Sequence, residues 1–164
     1  MRHPALFALL ALPLVAARAL TVSTACTSSG KALATARQML QMDLCDAVLT
    51  GGSDCLCRLT INGFASLESA TPELCNPMSR NRRGINVGEG AALFLLRKEP
   101  SEWALLGAGA SSDAHHVSSP DPSGLGAEIA MREALAEAGL RPQDVGYLNL
   151  HATATLKNDE MESR

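Results

Sequence analysis

Thr21-Val22-Ser23-Thr24-Ala25-Cys26-Thr27-Ser28-Ser29-Gly30 is the stretch from which the rest of the chain can be read. Its short β-branched run breaks at small residues. From Ser28 to Leu44 the apolar Leu33, Ala36, Leu40 and Leu44 then recur at three- and four-residue steps, the period of a helix with one buried face. The segment predicts a strand-to-helix turn with Cys26 at the junction. Unpaired backbone amides and the positive end of the helix dipole favour thiolate over thiol there. Most free cysteines fill cores, but small hydroxylated neighbours suit a tight turn that exposes its side chain. Cys26 is therefore the candidate nucleophile, expected to be the most reactive of the five thiols.

Beyond that helix, Ala47-Val48-Leu49-Thr50 closed by Gly51-Gly52 predicts a short buried strand ending at a turn. The polar, proline-containing stretch from Glu68 to Arg83 reads as loop. Gly90 to Leu96 predicts a strand buried on both faces, with Arg97-Lys98 marking its exit into water. Ala104 to Ala110 has the composition of another strand, and Ser111 to Gly126 is again loop. Ala127, Ala130, Met131, Ala134, Leu135 and Ala138 keep the helical period, Gly139 is placed as the left-handed terminator, and Pro142 blocks continuation. Val145 to Leu150 then predicts a strand that delivers His151 at its carboxyl end. Helices alternating with buried strands imply an α/β fold, in which ligands gather beyond the carboxyl ends of strands.

Composition narrows the function. The chain has 164 residues, 46% of them apolar, and a formal net charge of −3 with no run of Lys and Arg, so nucleic acid is not an expected partner. Cys26, Cys45, Cys55, Cys57 and Cys75 are odd in number and lack paired C-x-x-C spacing, which suggests reduced thiols in a cytoplasmic setting rather than a metal site. Cys55 and Cys57, if on a strand, would share one face. The first nineteen residues pull the other way. Ala5 to Val15 is an apolar run after Met1-Arg2-His3, and Ala17-Arg18-Ala19 resembles a cleavage site, so residues 1–19 form an apolar leader, signal-like or an artefact of an artificial start. Export is thus the alternative to a cytoplasmic location, while the run is too short and interrupted for a stable membrane span.

His151 opens His151-Ala152-Thr153-Ala154-Thr155, followed by Asp159 and Glu162. Small residues let a ligand approach the backbone, and threonine hydroxyls can hydrogen-bond a polar chain lying in a channel. His115 and His116 are adjacent, but consecutive side chains seldom converge on one ion, and no metal is expected.

Three blocks together resemble a β-ketoacyl-acyl carrier protein synthase, the elongating condensing enzymes of fatty acid and polyketide synthesis. They are Thr24-Ala25-Cys26-Thr27-Ser28-Ser29, the segment from Asn81 to Ala92 through Arg82-Arg83-Gly84-Ile85-Asn86-Val87-Gly88-Glu89-Gly90, and His151 to Thr155 with Asn158-Asp159-Glu160-Met161-Glu162. Ser111 to His116 also resembles the family pattern. The resemblance spans Leu20 to Arg164 and implies part of a thiolase-like, duplicated, layered αβαβα fold, incomplete at both ends. Residues 20–100 would be the end of the amino-terminal half with the nucleophile, and residues 101–164 the start of the carboxyl-terminal half.

The resemblance also implies roles. An acyl chain would be loaded on Cys26 as a thioester, and decarboxylation of malonyl-carrier protein would then give a carbanion that attacks it. His151 matches the first of two histidines and would hold the malonyl thioester oxygen as negative charge develops. Thr153 and Thr155 match residues that bind the phosphopantetheine arm of the carrier protein, Ser118 would line the substrate entrance, and Asp159 and Glu162 match supporting acidic positions. Glu89 reads as a structural, hydrogen-bonding residue. No bound cofactor is implied beyond that arm; acyl and malonyl forms of the carrier protein would be the partners, with a homodimer expected from the family.

Departures from the pattern set further expectations. Family members usually carry glycine where this chain has Ala152, and glycine or serine where it has Ala154. The added methyl groups cost little at ordinary dihedrals and are disfavoured at positive φ. The lysine segment, the second histidine in Gly-His-Thr and a Gly-Phe-Gly-Gly loop are not in this sequence, so the chain reads as an incomplete and inactive fragment. The rival reading is a non-catalytic, ketosynthase-like partner or binding protein.

Overall fold

The computed structural model describes residues 19–164, and the signal-like leader lies, apart from Ala19, outside the described residues. The first element is α1, Ser28–Gln41. It stops short of Leu44 because Asp43 takes a left-handed φ of 56°, and Leu44 N–H then donates to the Met39 carbonyl at 3.0 Å, the return bond of a helix-terminating turn.

Strand β1, Ala47–Asp54, is longer than expected. Gly51 and Gly52 do not end it. Gly51 passes so close to its neighbour strand that a Cβ would lie 2.1 Å from the Ala92 carbonyl oxygen, and one on Gly52 would meet Ser29 Oγ at 2.9 Å. Gly51 therefore admits close approach within the ladder and Gly52 the approach of α1, instead of turning the chain. Strand β2, Gly90–Arg97, pairs antiparallel with β1 from Ala47 opposite Arg97 to Asp54 opposite Gly90. Between them α2, Arg58–Ser66, is a helix the sequence reading did not anticipate. Cys55 and Cys57 consequently share no strand: Cys55 follows β1, and Cys57 is the residue that caps α2.

Helix α1 covers the sheet face that carries Val48 and Thr50, with Ala36, Leu40 and Thr50 buried. The opposite face carries Leu49, Leu93 and Leu95, which are 67%, 67% and 62% exposed. Burial of β2 on both faces is thus corrected. The strand has a single neighbour among the described residues, and no second layer lies over Leu93 and Leu95. An apolar run specifies what a strand would bury if covered and does not itself supply the cover.

Two other expected strands, Ala104 to Ala110 and Val145 to Leu150, are unpaired. The first instead runs along α3, Leu125–Ala138. Ala108 N–H donates to Glu137 Oε2 at 2.7 Å and Ala110 N–H to Glu133 Oε2 at 3.3 Å, so helix carboxylates take amides that a ladder would have used. Gly107 and Gly109 permit this, because a Cβ on either would lie within 2.2 Å of an α3 carbonyl oxygen. Arg37 of α1 fastens the same segment by donating to the carbonyls of Leu105 (3.1 Å) and Leu106 (2.8 Å) while pairing with Glu137. Val145 to Leu150 has no adjacent strand among the described residues, and Tyr147 and Leu148 are exposed.

The end of α3 agrees with its sequence. Gly139 has φ 67°, and Leu140 N–H returns to the Leu135 carbonyl at 3.0 Å. Pro142 begins a single 3-10 turn, Pro142–Asp144. The last helix, α4, Leu156–Glu162, follows the histidine segment directly.

Candidate active site

The nucleophile candidate sits where the sequence places it. Ala25 adopts a left-handed φ of 52°, Cys26 is exposed, and α1 begins two residues later. Hydroxyl groups close this turn. Ser28 Oγ accepts from Thr24 N–H at 2.9 Å and donates to the Ala25 carbonyl at 2.7 Å, while Thr27 Oγ1 donates to the Thr24 carbonyl at 2.8 Å. The polar residues around Cys26 thus bond to backbone, which leaves the cysteine side chain outside their network.

The histidine segment is built differently. Glu162 and Asp159 lie one turn apart on α4 and both reach back over residues 151–154. Glu162 accepts from His151 N–H at 2.7 Å and from Ala152 N–H at 2.8 Å, and Asn158 Nδ2 steadies it at 2.9 Å. Asp159 accepts from Ala154 N–H at 3.1 Å and, through its other oxygen, from Met78 N–H at 2.7 Å. Two carboxylates therefore hold three backbone amides of the segment and a fourth from Met78, and leave the His151 side chain exposed. Both alanines of the segment are left-handed, Ala152 at φ 48° and Ala154 at φ 60°, the case in which their methyl groups are disfavoured. The hydroxyls of Thr153 and Thr155 meet at 2.8 Å.

The Glu68–Arg83 loop forms the underside. Gly84 N–H donates to the Ala154 carbonyl at 2.9 Å, and Gly84 has φ 118° with an imagined Cβ 2.3 Å from the Ser69 carbonyl oxygen. Only glycine fits there. Glu89 Oε2 accepts from Leu56 N–H at 3.2 Å and lines an open cleft of about 460 Å³ with Ser29, Gly52, Gly90 and Phe94. Ser118 is exposed in its loop, its N–H donating to His116 Nδ1 at 3.1 Å. Beside it Asp113 accepts from the amides of His115 and Asp121, which hold its carboxyl below the ordinary range.

The structure thus gathers His151, Thr153, Thr155, Asp159 and Glu162 around one loop. No described hydrogen bond joins them to Cys26 or Ser118, which stand on separate elements. Among the described residues no three His, Cys, Asp or Glu side chains are placed to share a metal ion. Sequence reasoning missed one thiol. Cys57 is exposed at the start of α2, and the Thr60 hydroxyl 3.4 Å from its sulfur, followed by the backbone amides of Thr60 and Leu59, pushes the thiol pKa down. The signal was present as Cys57-x-x-Thr60, an N-cap spacing that an unrecognised helix concealed.

Known proteins resemble this chain in sequence and fold. The family profile described as the β-ketoacyl synthase N-terminal domain matches residues 15–101, and that of the C-terminal domain matches residues 104–164. Nodulation protein E of Rhizobium meliloti is 36% identical over 151 residues, which are 87% of this chain and 37% of that protein. The 3-oxoacyl-acyl-carrier-protein synthase 2 of Staphylococcus aureus is 31% identical over 150 residues, 83% of this chain and 37% of the relative. Among solved structures, a ketosynthase (ApeO) in complex with its chain length factor (ApeC) from Xenorhabdus doucetiae superposes with a TM-score of 0.86 at 51% identity, covering 87% of this chain and 36% of that one. The chain spans 37% of the length of these curated relatives.

Proposed function

The chain belongs to the β-ketoacyl synthase family, and on that premise we propose that it carries the acyl-accepting cysteine and the first histidine of a β-ketoacyl-acyl carrier protein synthase. The observations that support this best are an exposed Cys26 on a hydroxyl-closed turn and an exposed His151 whose backbone amide Glu162 holds while Asp159 holds that of Ala154 in the same segment. In the first half-reaction Cys26 thiolate attacks the carbonyl carbon of an acyl thioester, and the pantetheine thiolate leaves and is protonated. In the second, the malonyl carboxylate departs as carbon dioxide and its bonding electrons pass to the α-carbon, with His151 donating a hydrogen bond to the enolate oxygen. That carbon attacks the Cys26 thioester, the β-ketoacyl bond forms, and the Cys26 thiolate is expelled.

Thr153 and Thr155 are the groups proposed to meet the phosphopantetheine arm, and Ser118 the residue at its entrance. Asp159, Glu162 and Glu89 act on backbone amides rather than on substrate. The partners are acyl- and malonyl-carrier protein and a second ketosynthase-type chain, in keeping with a relative named for the carrier protein and a similar structure solved with a chain length factor. No described helix is long and apolar enough to cross a membrane. The proposed location is cytoplasmic, on the ground of the odd, unpaired spacing of the five cysteines.

The test is acylation. Incubation with an acyl-carrier protein should add one acyl mass to the Cys26 peptide, and Cys26→Ala should abolish it. Acylation at another cysteine, or none, would remove the nucleophile assignment and favour the non-catalytic partner.

A further inference from the structure

We infer that Arg82 is a positioning residue for the His151 segment, acting through Asp159 and never touching substrate; the inference rests on the reading of His151 given above. Asp159 is 1% exposed. Its carboxylate has exchanged water for two backbone amides, Ala154 and Met78, and a buried charge so placed needs a countercharge. Arg82 supplies it. The Arg82 side chain is 14% exposed, and Nε lies 3.5 Å from Asp159 Oδ2, near enough to pair electrostatically though not aligned as a hydrogen bond. The remaining guanidinium nitrogens fasten it at both sides, Nη1 to the Ser79 carbonyl at 3.0 Å and Nη2 to the Leu156 carbonyl at 3.4 Å. Glu160, 3.6 Å away, is an exposed partner of lesser weight.

The consequence follows from what Asp159 holds. Ala154 is fully buried and left-handed, a conformation an alanine keeps only when its surroundings impose it. Removing the Arg82 charge leaves Asp159 as an unpaired buried carboxylate, which is relieved when it swings toward water. That movement weakens its grip on the Ala154 and Met78 amides. Ala154 then relaxes toward right-handed dihedrals, and His151, three residues earlier, loses its fixed place. Glu162 holds only His151 and Ala152, so it cannot compensate at Ala154.

The experiment uses the full chain as wild type, Arg82→Gln and Arg82→Lys. Hydrogen exchange followed by residue should quicken at Ala154 and Met78 in Arg82→Gln by about tenfold, the effect of losing one buried hydrogen bond, with exchange in α1 and β1 unchanged. Arg82→Lys, which keeps the charge, should restore part of the protection. Unchanged exchange at both amides would overturn the proposal, as would uniform acceleration through α1 and the sheet, since that marks general loss of stability. A second readout separates this inference from the proposed function: Cys26 acylation in Arg82→Gln should stay within about twofold of wild type, because Arg82 acts on the His151 segment and not on the Cys26 turn. A wild-type chain that is never acylated refutes the functional reading, and the exchange result still decides the role of Arg82.

Discussion

Replacing Ala152 and Ala154 singly by glycine should give different results, although both residues are left-handed. An L-residue in that region costs roughly 1–2 kcal/mol, which glycine does not incur. Glycine also gains freedom in the unfolded chain, which returns roughly 0.5–1 kcal/mol to the debit side. For Ala152, which is only half-buried, the balance is a stabilisation of about 0.5–1 kcal/mol. Ala154 is 0% exposed, and deleting its methyl forfeits about 0.8 kcal/mol of burial in addition to any cavity. Its substitution should therefore be close to neutral or mildly destabilising. Urea unfolding followed by circular dichroism reads the difference and keeps the apolar sheet face from driving association. With a slope of about 2 kcal/mol per molar, Ala152→Gly should raise the midpoint by roughly 0.3–0.5 M, and Ala154→Gly should leave it unchanged or lower. A fall in the midpoint for Ala152→Gly, or equal gains at both sites, would refute the assignment of backbone strain to this segment.

Gly84→Ala should destabilise by about 2 kcal/mol or more, because φ 118° and a Cβ at 2.3 Å from the Ser69 carbonyl leave no room; the same urea assay measures it. Cys57 should react with iodoacetamide ahead of the half-buried Cys45 and Cys75 as pH is raised, since its thiol is held below the ordinary value, and Thr60→Val should slow it; equal rates by peptide mass mapping would contradict this. Asp113 is held below the usual carboxylate range by the amides of His115 and Asp121. A depressed folded-state value means that its contribution is present above the unfolded pKa and is lost as pH falls through the folded one. Acid titration should therefore loosen those amides, read by hydrogen exchange, and Asp113→Asn should bring the same loosening at neutral pH.

The open face of the sheet bears on how the chain behaves alone. Leu49, Leu93 and Leu95 lie side by side on it, and β2 leaves an edge unpaired among the described residues. Such a surface associates unless something covers it. The superposed ketosynthase chains are longer, this chain covering 36% of the one from Xenorhabdus doucetiae.

Local physics made several elements legible in the sequence. The three- and four-residue steps from Leu33 to Leu40 specified α1, the run from Ala127 to Ala138 with Gly139 specified α3 and its stop, and small hydroxylated residues around Cys26 specified an exposed turn. Each depends on neighbours a few residues apart, and such information lies in order along the chain. The family's blocks singled out Cys26, His151, Asp159 and Glu162 as candidates, and the structure adds that both carboxylates hold backbone amides of the histidine segment. Tertiary structure decided the rest. Whether Ala104 to Ala110 pairs as a strand depends on a partner, and α3 carboxylates took its amides instead. Whether Leu93 and Leu95 are buried depends on a second layer, which composition cannot announce. That Asp159 answers to Arg82, 77 positions away in the numbering, and that Ala152 and Ala154 are left-handed, follow from two loops closing on one buried carboxylate. Periodicity records which side of an element is apolar; only contacts between distant segments determine what meets it.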